Sequence, residues 1–119
     1  MPRPTKFKTV CSLPKRNCFI PENQLADEIG TVDMSVEEYE TIRLIDYEGF
    51  TQEECCKYMN VARTTVQQIY NHARKKIAKT IVEGLSLKIR GGNYKLCDGK
   101  EQYCGCGGCQ KHNRRNTKN

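Results

Sequence analysis

Between Arg63 and Glu83 the chain has neither proline nor glycine. Val66, Ile69, Tyr70, Ala73, Ile77 and Ile81 fall on one side when successive residues are turned by about 100°. This period predicts one long amphipathic helix. Two shorter helices are predicted before it, each announced by a capping box, in which a hydroxyl and a carboxylate three residues apart take each other's backbone amides. Ser35 with Glu38 opens the first, over about 36–47, with Val36, Tyr39, Ile42, Leu44 and Ile45 as its apolar positions and Gly49 as its stop. Thr51 with Glu54 opens the second, over about 52–59, with Cys55, Tyr58 and Met59 inward. Asn60, which tolerates positive φ, sits where the chain must turn.

The flanks read differently. Pro2, Pro4, Pro14 and Pro21 make residues 1–30 an extended arm, with one short strand expected within 6–13. Gly84 ends the long helix, residues 85–90 alternate as a strand, and Gly91-Gly92-Asn93 forms a turn. That strand needs a partner, either the arm around Lys6 to Leu13 or the same strand of a second subunit. Beyond Tyr94 the chain is rich in cysteine, and from Lys111 it is a polar, basic tail expected to be disordered. The expected division is an arm at 1–30, a helical domain at 31–96 and a cysteine-rich, basic tail at 97–119.

Charge sharpens this outline. The net +6 conceals +5 over residues 1–21, −9 over 22–62 and +10 over 63–119. Attraction for a polyanion is therefore confined to the arm and the second half. On the long helix Thr64, Asn71, Lys75 and Gln68 lie at about 140–200° from Val66, opposite the apolar stripe, and the first carboxylate after Arg63 is Glu83. Two capped helices joined by a short turn, the second polar and basic outside, form the arrangement that places a helix in the major groove while its predecessor braces against the backbone. Arg63, Thr64, Thr65, Gln67, Gln68 and Asn71 are expected to contact bases or nearby phosphates. Arg74, Lys75 and Lys79, with Lys76 beside them, are expected to contact phosphates. The plain alternative is a helical bundle with a charged outer face. The segregation of charge weighs against it.

The stretches Glu48-Gly49-Phe50-Thr51-Gln52-Glu53-Glu54 and Met59-Asn60-Val61-Ala62-Arg63-Thr64-Thr65 resemble the helix-turn-helix in the fourth region of bacterial sigma factors. The chain is more similar still to uncharacterised protein family 0251, also called domain of unknown function 134. The similarity is carried by Met1-Pro2-Arg3-Pro4, by residues 36–44, by Ala73-Arg74-Lys75-Lys76 and by Arg90-Gly91-Gly92-Asn93-Tyr94, and it covers about residues 1–96. The resemblance implies a DNA-binding protein without implying a target. Two departures matter. Ala62 replaces the usual serine, so the third helix lacks a side-chain cap, and Asn60 replaces a glycine. Cys55 and Cys56 stand where alanine is usual and read as small core residues.

Cys97, Cys104, Cys106 and Cys109 give the spacing C-x6-C-x-C-x2-C, with Gly105, Gly107 and Gly108 between them. Four thiolates can complete a tetrahedral zinc shell, and the C-x-C step also suits an iron–sulfur cluster. A metal-free tail is the plain alternative. Cys11 and Cys18 read as unpaired structural thiols, with a second metal site or a contribution to the first as the alternative. With neither an export signal nor a run of about eighteen apolar residues, the chain is expected to be cytoplasmic, without a membrane span or disulfide framework.

No Ser/His/Asp grouping, phosphate-binding glycine loop or pair of metal-ligating histidines on a helix is present, so no enzyme is expected. The expectation is a mainly α protein: a helix-turn-helix core with a small β element and a cysteine-rich C-terminal appendage. It would bind double-stranded DNA as a sequence-specific transcriptional regulator with metal or redox sensing. A homodimer is expected, because the β strand wants a partner and Val82 lies on the outward side of the long helix. The alternative is a metal or iron–sulfur carrier whose helical domain docks a partner.

Overall fold

The computed structural model describes residues 8–11, 13–22, 24 and 29–96. Its elements run β1 (Lys8–Val10), β2 (Cys18–Phe19), β3 (Thr31–Met34), α1 (Val36–Thr41) with a π-helical continuation (Ile42–Tyr47), α2 (Gln52–Met59), α3 (Arg63–Glu83), β4 (Ser86–Ile89) and β5 (Tyr94–Leu96). Among the described residues the fold is mainly helical, three helices against two small sheets.

Both capping boxes form. Ser35 Oγ accepts from the Glu38 amide at 3.2 Å while Glu38 Oε1 accepts from the Ser35 amide at 2.9 Å. Thr51 and Glu54 repeat the exchange at 3.0 and 2.9 Å. The first helix keeps its expected span but changes pitch at Ile42, and its end is closed by the Glu48 amide donating to the Arg43 carbonyl at 2.8 Å. Asn60 adopts φ 60° and ψ 48°. The Val61 amide donates back to the Cys56 carbonyl and the Asn60 amide to that of Lys57, a Schellman closure that satisfies the last carbonyls of α2. The chain then enters α3 through Ala62, which is extended and supplies no side-chain cap. Ala62→Ser should therefore raise stability by about 1 kcal/mol. Thermal unfolding checks this, and an unchanged or lower midpoint would show that the first-turn amides gain nothing from a hydroxyl there.

The strand at 86–89 takes neither of its two expected partners. It is the central strand of the order β2-β4-β3, antiparallel to β2 (Cys18↔Lys88) and parallel to β3 (Thr31↔Ser86 through Met34↔Ile89). The arm strand β1 pairs instead with β5, parallel, from Lys8↔Tyr94 to Val10↔Leu96. Strand β3 alternates, with Val32 and Met34 buried and Thr31 and Asp33 exposed, and it returns to its parallel neighbour β4 only after all three helices. A parallel pair needs such a long crossover, so the helices necessarily lie between these two strands in sequence.

Two apolar clusters stand out among the described residues. One joins sheets to helices through Val10, Met34, Val36, Ala73 and Ile89, and the other joins the helices through Leu44, Cys55, Met59 and Val66. The expected stripe of α3 is corrected at its end: the clusters reach only to Ile77, and Ile81 is exposed. Cys56 is half-buried, its thiol donating to the Glu53 carbonyl, so of the adjacent pair only Cys55 is a core residue.

Gly92 needs its glycine. Its φ is +108°, and a Cβ there would enter the space of the Glu37 carboxylate and the Ser35 side chain. That carboxylate accepts from the Asn93 amide at 2.8 Å and lies 3.5 Å from Lys8 Nζ, which ties the 91–93 turn and β1 to the start of α1.

Candidate nucleic-acid interface

Most of the expected DNA-facing residues lie together on open surface. Arg63, Thr64, Gln67, Gln68, Asn71, Arg74, Lys75 and Lys79 of α3 are all exposed. Thr65 is half-buried and less available. His72, absent from the sequence-based set, is exposed on the same helix, and a turn of about 100° per residue places it beside Gln68 and Lys79. The signal was available in that angle.

Lys76 does not belong with these cations. Its Nζ lies 2.7 Å from Glu38 Oε1, the carboxylate that caps α1. Arg74 is partly engaged: it lies over the Tyr70 ring at 5.4 Å, with Nε 3.9 Å from Asp46 Oδ2. Tyr70 Oη donates to Asp46 Oδ1 at 2.8 Å, and burial followed by this bond raises the phenol pKa. Lys75 and Lys79 form no ion pair among the described residues.

The helix is held by its inner face. Val66 and Ala73 are fully buried and Tyr70 nearly so. Beneath it, Glu40 is fully buried and takes Arg43 Nε and Nη2 at 2.9 and 2.8 Å as well as the Cys11 amide at 3.2 Å. Burial opposes the Arg43 charge, but its hydrogen bonds to Glu40 more than offset this and raise its pKa. Burial pushes the Cys55 thiol up to about 12, so it stays protonated and inert near neutral pH. Burial also raises the Tyr39 phenol, with Arg43 opposing.

Cys97, Cys104, Cys106 and Cys109 lie outside the described residues. Among the described residues no cluster of cysteine, histidine or carboxylate could hold a metal ion, and no helix is long and apolar enough to cross a membrane. Cys11 is buried and Cys18 half-buried.

Residues 1–97 match the family described as protein of unknown function DUF134. A UPF0251 protein of Desulfitobacterium hafniense strain Y51 is 59% identical over 115 residues, covering 97% of this chain and 91% of its own length. A UPF0251 protein of Clostridium botulinum strain Loch Maree is 45% identical over 107 residues, covering 88% of this chain and 68% of its own. That of the Hall strain is 46% identical over 99 residues, with 82% of this chain and 63% of its own length covered. No solved structure matches the chain. On the strength of the family match and these relatives, the chain belongs to the DUF134 (UPF0251) family.

Proposed function

We propose that the chain is a sequence-specific double-stranded DNA-binding protein and transcriptional regulator, in which α2, the turn through Asn60–Ala62 and α3 act as a helix-turn-helix. The observation that carries this reading is the composition of the exposed α3 face: Arg63 and neutral hydrogen-bonding side chains near its start, further cations along it, and no carboxylate before Glu83. A major groove about 12 Å wide accepts one such helix. The uncapped start of α3 adds to it, because first-turn amides not taken by a side chain suit a phosphate. Two copies reading half-sites about one helical turn apart would supply the contact area that one module lacks, with the exposed Val82 as part of the pairing surface.

The test is selection of bound fragments from genomic DNA by the full chain, followed by affinity for the selected and a random duplex across a salt series. A reproducible motif bound at least about a thousandfold more tightly than random DNA is expected. Equal affinity for both would remove sequence-specific regulation.

The four C-terminal cysteines are proposed to bind one thiophilic metal, zinc or an iron–sulfur cluster, on the strength of their spacing. Protein purified under reducing conditions should carry about one equivalent of zinc, or a cluster visible by its absorption. Elemental analysis that finds no metal, before and after adding zinc or iron, would end this expectation. A cluster in a chain that binds no DNA would instead favour the carrier reading.

A further inference from the structure

A cavity of about 560 Å³ lies between the N-terminal segment and the π-helical continuation of α1. Small-molecule sites occupy about 300–1,000 Å³, so its size suits a ligand rather than a few waters. Leu13 and Phe19 line it from one side, Ile42 and Tyr47 from the other, and Cys11 and Ile89 also contribute. Leu13 and Phe19 are each 51% exposed and Tyr47 is 81% exposed, so three of the large apolar side chains left in water among the described residues border a single hollow. Concentrated apolar exposure of this kind marks binding surfaces more often than scattered apolar residues do.

The charges of the wall are unequal. Arg43 is already held by Glu40 and by Glu48, whose Oε2 lies 3.4 Å from Nη1. Lys15 and Arg16 line the cavity, are exposed, and form no ion pair among the described residues, although Arg16 Nη1 donates to the Lys15 carbonyl at 3.2 Å. The hollow thus offers an apolar body that includes the Phe19 and Tyr47 rings, with two cations outside any ion pair among the described residues in its wall. The matching ligand has an aromatic body and one anionic group.

The wall also has a second side. The segment that gives Ile42, Tyr47 and Glu48 to the cavity gives Leu44 to the cluster containing Val66 and gives Asp46 to Tyr70 and Arg74 of α3. π-helical turns are rare and recur at functional sites, and here one forms the last part of the first helix. We propose that this cavity binds a small aromatic anion, and that occupancy is transmitted through the π-helical segment to α3. Neither part depends on α3 reading DNA.

The test is a titration of the isotopically labelled full chain with indole-3-acetate, followed by amide chemical shifts, with indole-3-acetamide as the uncharged control. Saturable shifts are expected at Cys11, Ile42, Tyr47 and Glu48, with further shifts at Asp46, Tyr70 and Arg74. The amide should bind about two- to fivefold more weakly, the range of an exposed charge pair. A variant carrying Lys15→Ala and Arg16→Ala, both at exposed positions, should bind acid and amide alike. No saturable shift in the millimolar range, or shifts centred on Ile81 and Val82, would overturn the site. Equal binding of acid and amide by the unaltered chain would overturn the anion assignment. Shifts confined to the cavity wall would overturn the transmission.

Discussion

Replacing Glu40 with alanine is expected to lower the unfolding free energy by about 3–5 kcal/mol, a large share of the about 5–15 kcal/mol that holds an ordinary domain together. The reason is not that the Glu40–Arg43 pair is intrinsically strong. Desolvating two charges costs about as much as their attraction returns, and a well-packed apolar pair is often as stable. The loss arises from what remains. Glu40 is 0% exposed and accepts two bonds from Arg43 and one from the Cys11 backbone, so its removal takes the two shortest charge-assisted bonds from a largely buried guanidinium and an acceptor from a buried amide. Glu48, at 3.4 Å, is too distant to take over both bonds. A double variant, Glu40→Met with Arg43→Leu, should therefore recover a substantial part of the loss, because it removes the charge along with its partner. Urea unfolding of the three proteins decides the matter. A single-variant loss under about 1 kcal/mol, or a double variant no better than the single, would show that the cost is in packing volume and not in the uncompensated charge.

The same carboxylate shows why parts of the chain were legible in sequence and others were not. Elements written by neighbours were readable. Ser35 with Glu38 and Thr51 with Glu54 are four-residue signals, and the spans of α2 and α3 follow from them and from Asn60 and Gly84. Strands β2, β3 and β5 are two to four residues long and form because β4 and β1 lie beside them, a fact about distant chain that no local pattern holds. Counting charge along the chain also misled in a definite way. Glu37, Glu38 and Glu40 add to the acidic total of the middle segment, yet all three are buried against Lys8, Lys76 and Arg43. The surface of that segment is less acidic than its sequence, and Lys76 is withdrawn from the basic face of α3. One of the two grounds for expecting a second subunit changes as well, since β4 has neighbours on both edges within the chain. The other remains, with Val82 82% exposed.

For the α3 surface the sharpest expectation separates side chains that specify from side chains that attract. Gln68 and Lys79 are both exposed on the outward face, but eleven residues at about 1.5 Å each put them about 16 Å apart along the helix axis. A helix crossing the major groove presents its first turns to base edges and its later turns to the phosphate backbone, so the two should do different work. Gln68 is neutral and gains little from a phosphate. A good contact from it to a base edge is worth about 1–3 kcal/mol, so Gln68→Ala should weaken binding to the selected site about 5- to 150-fold while hardly changing binding to random duplex. Lys79 is charged, forms no ion pair among the described residues, and releases about one counterion when it meets a phosphate. Lys79→Ala should therefore weaken both complexes together and make the slope of log affinity against log salt shallower by about 0.9. Lys76→Ala serves as the control from the same helix: its ammonium is committed to Glu38, so its loss should lower stability and leave the salt slope unchanged. Equal losses on both duplexes for Gln68→Ala would place Gln68 on the backbone rather than on a base. If neither Gln68→Ala nor Lys79→Ala changes affinity for either duplex, α3 does not enter the groove and the helix-turn-helix reading must be given up.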